Sequence, residues 1–302
     1  MGSLYTVPII DTHMHLWDLN NHYAWLETND PVLVNLGGNY DELKKNFLVE
    51  DYIALTEHHH IVKSIHIEAF GFEGNPILET QWLQKQSDQF GFPHGIVAHA
   101  PLHDPHVETL LKQHRQYPNV RGIRMVLNDH NDPLLKMAER GDYLRDPHWR
   151  KGFSLLSTYN LSFDLQMYDH QIDDVISLLQ EYPETSVILE HLAWPLDFSE
   201  TAFKIWQERM ANIAHYQNVS LKVSGLGWIF KDVGSEVFSR YVKAGIELFG
   251  IDRCMFGSNF PPDRLFYSFD EAIMIFKTIL SKYPEGDQAK FFYLNAKKVY
   301  RV

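Results

Sequence analysis

Eight times along this chain a short apolar or β-branched run is followed by a polar and apolar mixture, and that alternation restricts the fold more than any other feature. The strand candidates are "VPIIDTHMH" (7–15), "VKSIHIEAF" (62–70), "HGIVAHAPL" (94–102), "VRGIRMVL" (120–127), "LSFDLQMY" (161–168), "SVILEHLA" (186–193), "VSLKVSGL" (219–226) and "RCMFGSNFP" (253–261). Helical spacing or helix-start signals mark the segments 104–117, 169–182, 199–216, 234–250 and 268–283. Asp104, Asp169, Ser199 and Ser268 are expected N-caps, because a side-chain oxygen there can take an otherwise unpaired amide hydrogen. Strand then helix, repeated, means a parallel sheet. Eight units spaced by about 25 to 40 residues fit a closed barrel better than an open doubly wound sheet. The expected fold is therefore α/β, a single (β/α)8 TIM barrel over 1–302.

The exception to this compactness is residues 17–61, a long insertion after strand 1 with an expected helix around 41–58. In a barrel that connection lies at the catalytic end, which makes it a candidate lid. No G-x-G-x-x-G follows the first strand and no Walker loop appears, which weakens a nucleotide-binding reading.

Composition narrows the partners. The formal charge of −12, with no long Lys/Arg run, argues against a nucleic-acid or anionic-membrane surface and for a small-molecule substrate. No apolar segment approaches the roughly 18 to 20 residues that span a bilayer, and no secretory signal is read at the N-terminus. Residues 2–6 formally fit a myristoylation pattern, but an early first strand leaves little free arm. One cysteine, Cys254, excludes an intramolecular disulfide and suits a reducing compartment, so a cytoplasmic location is expected. Its place before an apolar strand reads as a small buried residue rather than a nucleophile. A homo-oligomer is compatible with all of this.

The chemistry gathers at strand ends. Side chains alternate along a strand, so Asp11, His13 and His15 are expected to share one face, with the histidines at the C-terminal end of strand 1. Two imidazoles there can bind a divalent ion or donate to an oxyanion. His66 and Glu68, Arg124, Gln166, His191 and Asn259 fall at or near other strand ends. Convergence from several strands is how this fold builds active sites. Blander readings stand beside these: Glu68 or Asp164 as a hydrogen-bonded core carboxylate, Lys222 as a buried ion-pair partner, His58-His59-His60 as a solvated helix end. His106, His114 and His148 are expected at the surface.

The ordered set "IDTHMHLWD", "YAWL", "GIRMVL", "EHLAWP", "LKVSGLGW", "FGSNFPPD" and "NAKKVYRV" spans nearly the whole chain and resembles the amidohydrolase superfamily, specifically its amidohydrolase-2 branch, which includes sugar lactonases and 2-pyrone-4,6-dicarboxylate lactonase. The resemblance implies a barrel hydrolase in which His13, His15 and His191 form a metal or substrate-polarising cluster, Arg124 contacts an anionic or hydroxylated substrate, and His22, Tyr23 and Trp25 help line the pocket; strand-end placement adds His66 and Gln166 as expected substrate contacts. Two positions depart from the family pattern. Gln166 stands where strand 5 commonly carries a metal ligand, and Asn259 stands where strand 8 commonly carries the aspartate that acts as base. An amide cannot accept a proton near neutral pH, which leaves Asp263 as the nearest substitute carboxylate.

The expected activity is water attack on a small lactone, assisted by a divalent metal such as zinc or manganese on the three histidines, or by those histidines in a metal-free site. A lactone, with its reactive carbonyl and alkoxide leaving group, tolerates a weakened base better than an amide does. The alternatives are a zinc-dependent nonoxidative decarboxylase of an aromatic or muconate-type acid, and a catalytically impaired binding barrel.

Overall fold

The computed structural model describes residues 6, 8–72 and 75–302; the myristoylation pattern therefore lies almost wholly outside the described residues. Eight parallel strands lie in the order β1 to β8: Ile9–Met14, Ile61–Ile67, Gly95–His99, Val120–Val126, Ser162–Gln166, Val187–Leu189, Val219–Val223 and Cys254–Phe256. Seven of the expected segments contain one of them, and the eighth, 62–70, overlaps β2, which begins one residue earlier at Ile61. The seam between β8 and β1 closes just beyond the last strand. There Met14 and Phe260 form a parallel bridge, His15 N donates to Phe260 O at 2.8 Å, and Asn259 N donates to His13 O at 2.7 Å. The seam thus ties the first histidine pair to the residue that departs from the family pattern.

Apolar side chains fall into two layers. Ile10, Ile65, Ile67, Val97, Ile188 and Met255 pack with Ala296 and Tyr300, closing one end of the barrel beneath the polar strand ends. A larger cluster fills the space between strands and surrounding helices, with Trp149, Phe153 and Phe163 in mutual ring contact.

The helices follow their sequence signals, with informative exceptions. Ser199 and Ser268 cap Glu200–Ala214 and Phe269–Leu280, the latter with a capping box to Glu271. Asp104 instead closes a turn onto His106 N, and Asp169 pairs with Arg209 at 2.6 Å rather than capping. The expected helix at 41–58 is broken: a 3-10 turn at Asp41–Leu43 gives way to extended chain, because Phe47 exchanges two backbone hydrogen bonds with Trp17, and the helix proper is Val49–Thr56. His114 is fully buried, with Nδ1 beside Thr80 Oγ1 and Nε2 on His99 O, correcting the expectation of a surface histidine. His106 and His148 are exposed. The three histidines 58–60 diverge; His58 is exposed while His59 pairs with Asp270.

Candidate active site

At the C-terminal ends of the strands lies a cavity of about 430 Å³. His15, Arg124, Gln166, His191 and Asn259 provide polar lining from five different strand ends, and Trp25, Phe70, Met137, Trp194 and Trp228 provide apolar walls. The insertion contributes Trp25, Asp30 and Leu33 to the lining, with Trp25 Nε1 anchored on Ala69 O at 2.9 Å. Its other two expected lining residues lie elsewhere. His22 is exposed and pairs with Glu27, and Tyr23 is buried against Gly71 and Phe72.

Strand β1 carries a register irregularity between Asp11 and Met14, which ends simple alternation. Asp11 consequently turns to Ser258 and to the Tyr52 hydroxyl at 3.0 Å, away from the face its spacing with His13 implies. His13 instead points inward, its Nδ1 3.0 Å from Glu190 Oε1. His15 reaches the cavity, with Nδ1 on Ile67 O at 2.8 Å and Nε2 3.3 Å from Asn259 Oδ1. His66 sits behind it, donating from Nε2 to Leu16 O at 3.2 Å.

His191 is placed by unusual backbone. His191, Leu192, Ala193 and Trp194 run consecutively at φ of 55°, 54°, 57° and 44°. Left-handed conformation costs roughly 1–2 kcal/mol per non-glycine residue. The turn is held by Ala193 N on Glu190 O, Trp194 N on His191 O and Trp206 Nε1 on Leu192 O, each at 2.9 Å. It brings both His191 and Trp194 to the cavity. Gly225 makes room: a Cβ there would lie 2.3 Å from His191 Nδ1, and its own φ is +64°.

Beneath the cavity runs a buried charge network. Lys222 Nζ lies 2.5 Å from Asp164 and 3.1 Å from Glu190, all three side chains fully inaccessible. Tyr300 donates to Asp164 at 2.6 Å. Arg124 donates from Nε to Glu68 at 2.7 Å, from Nη1 to Gln166 at 3.0 Å and Glu190 at 3.4 Å, and from Nη2 to Glu68 O at 2.8 Å. The core-carboxylate and ion-pair readings of Glu68, Asp164 and Lys222 therefore hold. Arg124, expected to meet the substrate, has its charge neutralised within the wall.

The electrostatics follow from this burial. Desolvation opposes ionisation of Glu190, but His13, Lys222 and Arg124 outweigh it and hold its carboxyl well below the usual range. Burial, with Arg124 adding to it, holds His15 well below the usual imidazole range. Burial pushes His191 down to about 4. The cavity thus presents neutral imidazoles near pH 7. Asp263 does not reach the lining; it is wholly buried behind Asn259, accepting from Asn259 Nδ2 at 2.7 Å, from Gly227 N at 3.2 Å and from the Tyr267 hydroxyl, and burial pushes it up to about 7.

A metal fits part of this geometry. Side-chain atoms of His13, Glu190 and His191 lie within 4.8 Å of one another, and His13 Nε2 is buried without a hydrogen-bond partner among the described residues. Two imidazoles and a carboxylate form a donor set suited to zinc. Glu190 takes the place that the sequence reading gave to His15. It carried a signal, a carboxylate ending the apolar run "VILE" directly before His191.

Comparison with known proteins agrees with this architecture. The sequence profile of the amidohydrolase family matches residues 10–302. An uncharacterized protein, y4mH, of Sinorhizobium fredii is 40% identical over 298 residues, covering 98% of this chain and 99% of the relative. An L-fucono-1,5-lactonase of Burkholderia ambifaria is 21% identical over 258 residues, covering 85% and 81%. The crystal structure of a zinc-bound amidohydrolase from Burkholderia multivorans superimposes with a TM-score of 0.81 at 20% identity, over 98% of this chain and 99% of that one. By profile, by a relative of nearly equal length and by fold, this chain belongs to the amidohydrolase family.

Proposed function

We propose that the protein hydrolyses a small, uncharged, hydroxylated lactone to the open hydroxy acid. The observation that carries this reading is the chemical state of the cavity wall. Two neutral imidazoles, His15 and His191, and two amides, Gln166 and Asn259, face a cavity whose guanidinium is already paired with Glu68. The other lining cation, Lys136, pairs with Asp129 at 3.3 Å, so the wall orients hydroxyls and a carbonyl and keeps little unpaired positive charge for a carboxylate. Aromatic surfaces from Trp25, Trp194 and Trp228 suit the apolar face of a ring. The likeness to L-fucono-1,5-lactonases supports the same class at family level.

Cys254 and Ser224 do not line the cavity and the lining hydroxyl of Thr28 donates to Ala24 O at 2.9 Å with no base beside it, so water is taken as the nucleophile. Its oxygen bonds to the lactone carbonyl carbon, the ring C–O bond breaks, and the proton that the water sheds passes to the departing alkoxide, giving the open hydroxy acid. His191, its Nδ1 held 3.0 Å from Ser224 Oγ, presents Nε2 as the donor that steadies the carbonyl oxygen. A divalent ion, when bound, would be held by His13, Glu190 and His191 and would supply Lewis-acid polarisation of that carbonyl. Neutral sugar lactones, assayed by acid release with a pH indicator, are expected to be opened faster than background. Absence of turnover, with carbon dioxide released from aromatic acids, would replace this reading with a decarboxylase.

A further inference from the structure

Asn259 Oδ1 and His15 Nε2 face each other across 3.3 Å, and neighbouring groups fix the character of both atoms. His15 Nδ1 lies 2.8 Å from the carbonyl oxygen of Ile67, which only accepts, so Nδ1 carries the hydrogen and Nε2 of the neutral ring carries a lone pair. Asn259 Nδ2 lies 2.7 Å from Asp263 Oδ1, while Asp263 Oδ2 takes the Gly227 amide and the Tyr267 hydroxyl. An ionised carboxylate only accepts, so the amide turns its NH2 toward Asp263 and its oxygen toward the cavity. The backbone reinforces this pose. Asn259 sits at φ +56°, with its N–H on His13 O at 2.7 Å and its carbonyl accepting from Asp263 N at 3.0 Å. Two acceptors therefore converge on one point of the cavity lining, where a molecule bringing two hydrogens is best received.

The geometry points to Asp263 as a positioning residue that locks the Asn259 amide with its oxygen toward the cavity, so that Asn259 Oδ1 and His15 Nε2 together hold both hydrogens of the attacking water. Held in this way, the water turns a lone pair toward the substrate carbonyl. Asn259 then serves by orientation where a strand-8 aspartate would serve as a base, and Asp263 determines which end of the amide is available. This inference rests on the lactone reading for its kinetics and on hydrogen-bond polarity alone for its geometry.

The test compares wild-type protein with Asp263→Asn, Asn259→Asp and the exchange N259D/D263N. In D263N the amide is free to reverse, and kcat on a neutral sugar lactone is expected to fall by about 10²-fold while KM stays within about threefold, the signature of a misplaced reactant. N259D places two carboxylates in contact and is expected to lose activity as well. In the exchange, the amide at 263 donates to the carboxylate at 259, whose oxygens present only lone pairs to the cavity, and kcat is expected to return to within about tenfold of wild type. An exchange no better than either single variant, or a D263N enzyme with wild-type kcat, overturns the inference. Should wild-type protein open no lactone, the functional reading fails, and NMR still judges the geometry. The Asn259 side-chain NH2, assigned by its absence in folded N259D, is expected to be protected from solvent exchange in wild-type protein at pH 8; an unprotected NH2 overturns the lock.

Discussion

Replacing Lys222 with methionine removes a fully buried ammonium and leaves Asp164 and Glu190 facing each other without it. Methionine nearly preserves the length of the side chain, so the loss is one of charge rather than volume. Because all three side chains are inaccessible, no solvent screening moderates the change. Removing one partner of a buried pair costs about 3–5 kcal/mol. With an unfolding entropy of roughly 2.1 cal/mol/K per residue over a chain of this size, that corresponds to a Tm lower by about 5–8 °C. The pH dependence has a definite sign. Asp164 is already raised by burial with Lys222 present and rises further without the ammonium, so the variant takes up a proton there in the folded state more readily than in the unfolded state, and its deficit shrinks as pH falls. Thermal unfolding followed by circular dichroism at pH 5 and pH 8 is expected to show the larger gap from wild type at pH 8, and D164N/K222M is expected to recover part of it. A K222M variant melting within about 1 °C of wild type at pH 8 refutes the reasoning, since uncompensated buried charge would then carry no cost.

Other substitutions probe the site itself. Gly225→Ala puts a Cβ against His191 and forces a residue with φ +64° out of its favoured region, so lactone turnover is expected to fall by at least about tenfold, with a displaced His191 ring visible in a crystal structure. Burial raises Asp263 to about 7, against the opposing pull of Tyr267, Asn259 and Lys231; ionised it only accepts, but once protonated it gains an O–H that can donate to the Asn259 amide oxygen and reverse the side chain, so kcat is expected to decline as pH falls through 7 in wild type, and that limb is expected to vanish in D263N. Zinc titrated into metal-free protein by calorimetry is expected to bind less tightly to His13→Ala than to wild type, while His66→Ala, altered behind the cavity, binds as wild type does. Burial raises the Cys254 thiol, so a thiol reagent at pH 8 is expected to label it only after denaturation.

Much of the barrel was legible because strand formation here depends on local apolar runs, and each of the eight runs overlaps the strand it implied. The broken helix at 41–58 was not, since the competing interaction, Phe47 pairing with Trp17, joins residues far apart in the chain. At the site, His15, His191, Arg124, Gln166 and Asn259 were found from strand-end placement, and all line the cavity. What the sequence could not show was the partner of each charge. Arg124 reads as a substrate ligand until Glu68 and Glu190 are seen against it. Asp263 reads as a spare base until its carboxylate is found behind the Asn259 amide. Periodicity does not specify which strands' side chains meet across a barrel interior, and those cross-strand meetings set the protonation states. The β1 irregularity made the same point for Asp11, whose spacing with His13 implied a shared face.

The most direct measurement is kcat/KM for a neutral hydroxylated sugar lactone against a matched lactone bearing a carboxylate, corrected for spontaneous opening. Because Arg124 is paired with Glu68 and Glu190 and Lys136 with Asp129, leaving the wall little charge for an anion, the neutral substrate is predicted to be favoured by at least about tenfold, a difference of roughly 1.4 kcal/mol. Preference for the carboxylated lactone, or no opening of either above background, would contradict the account.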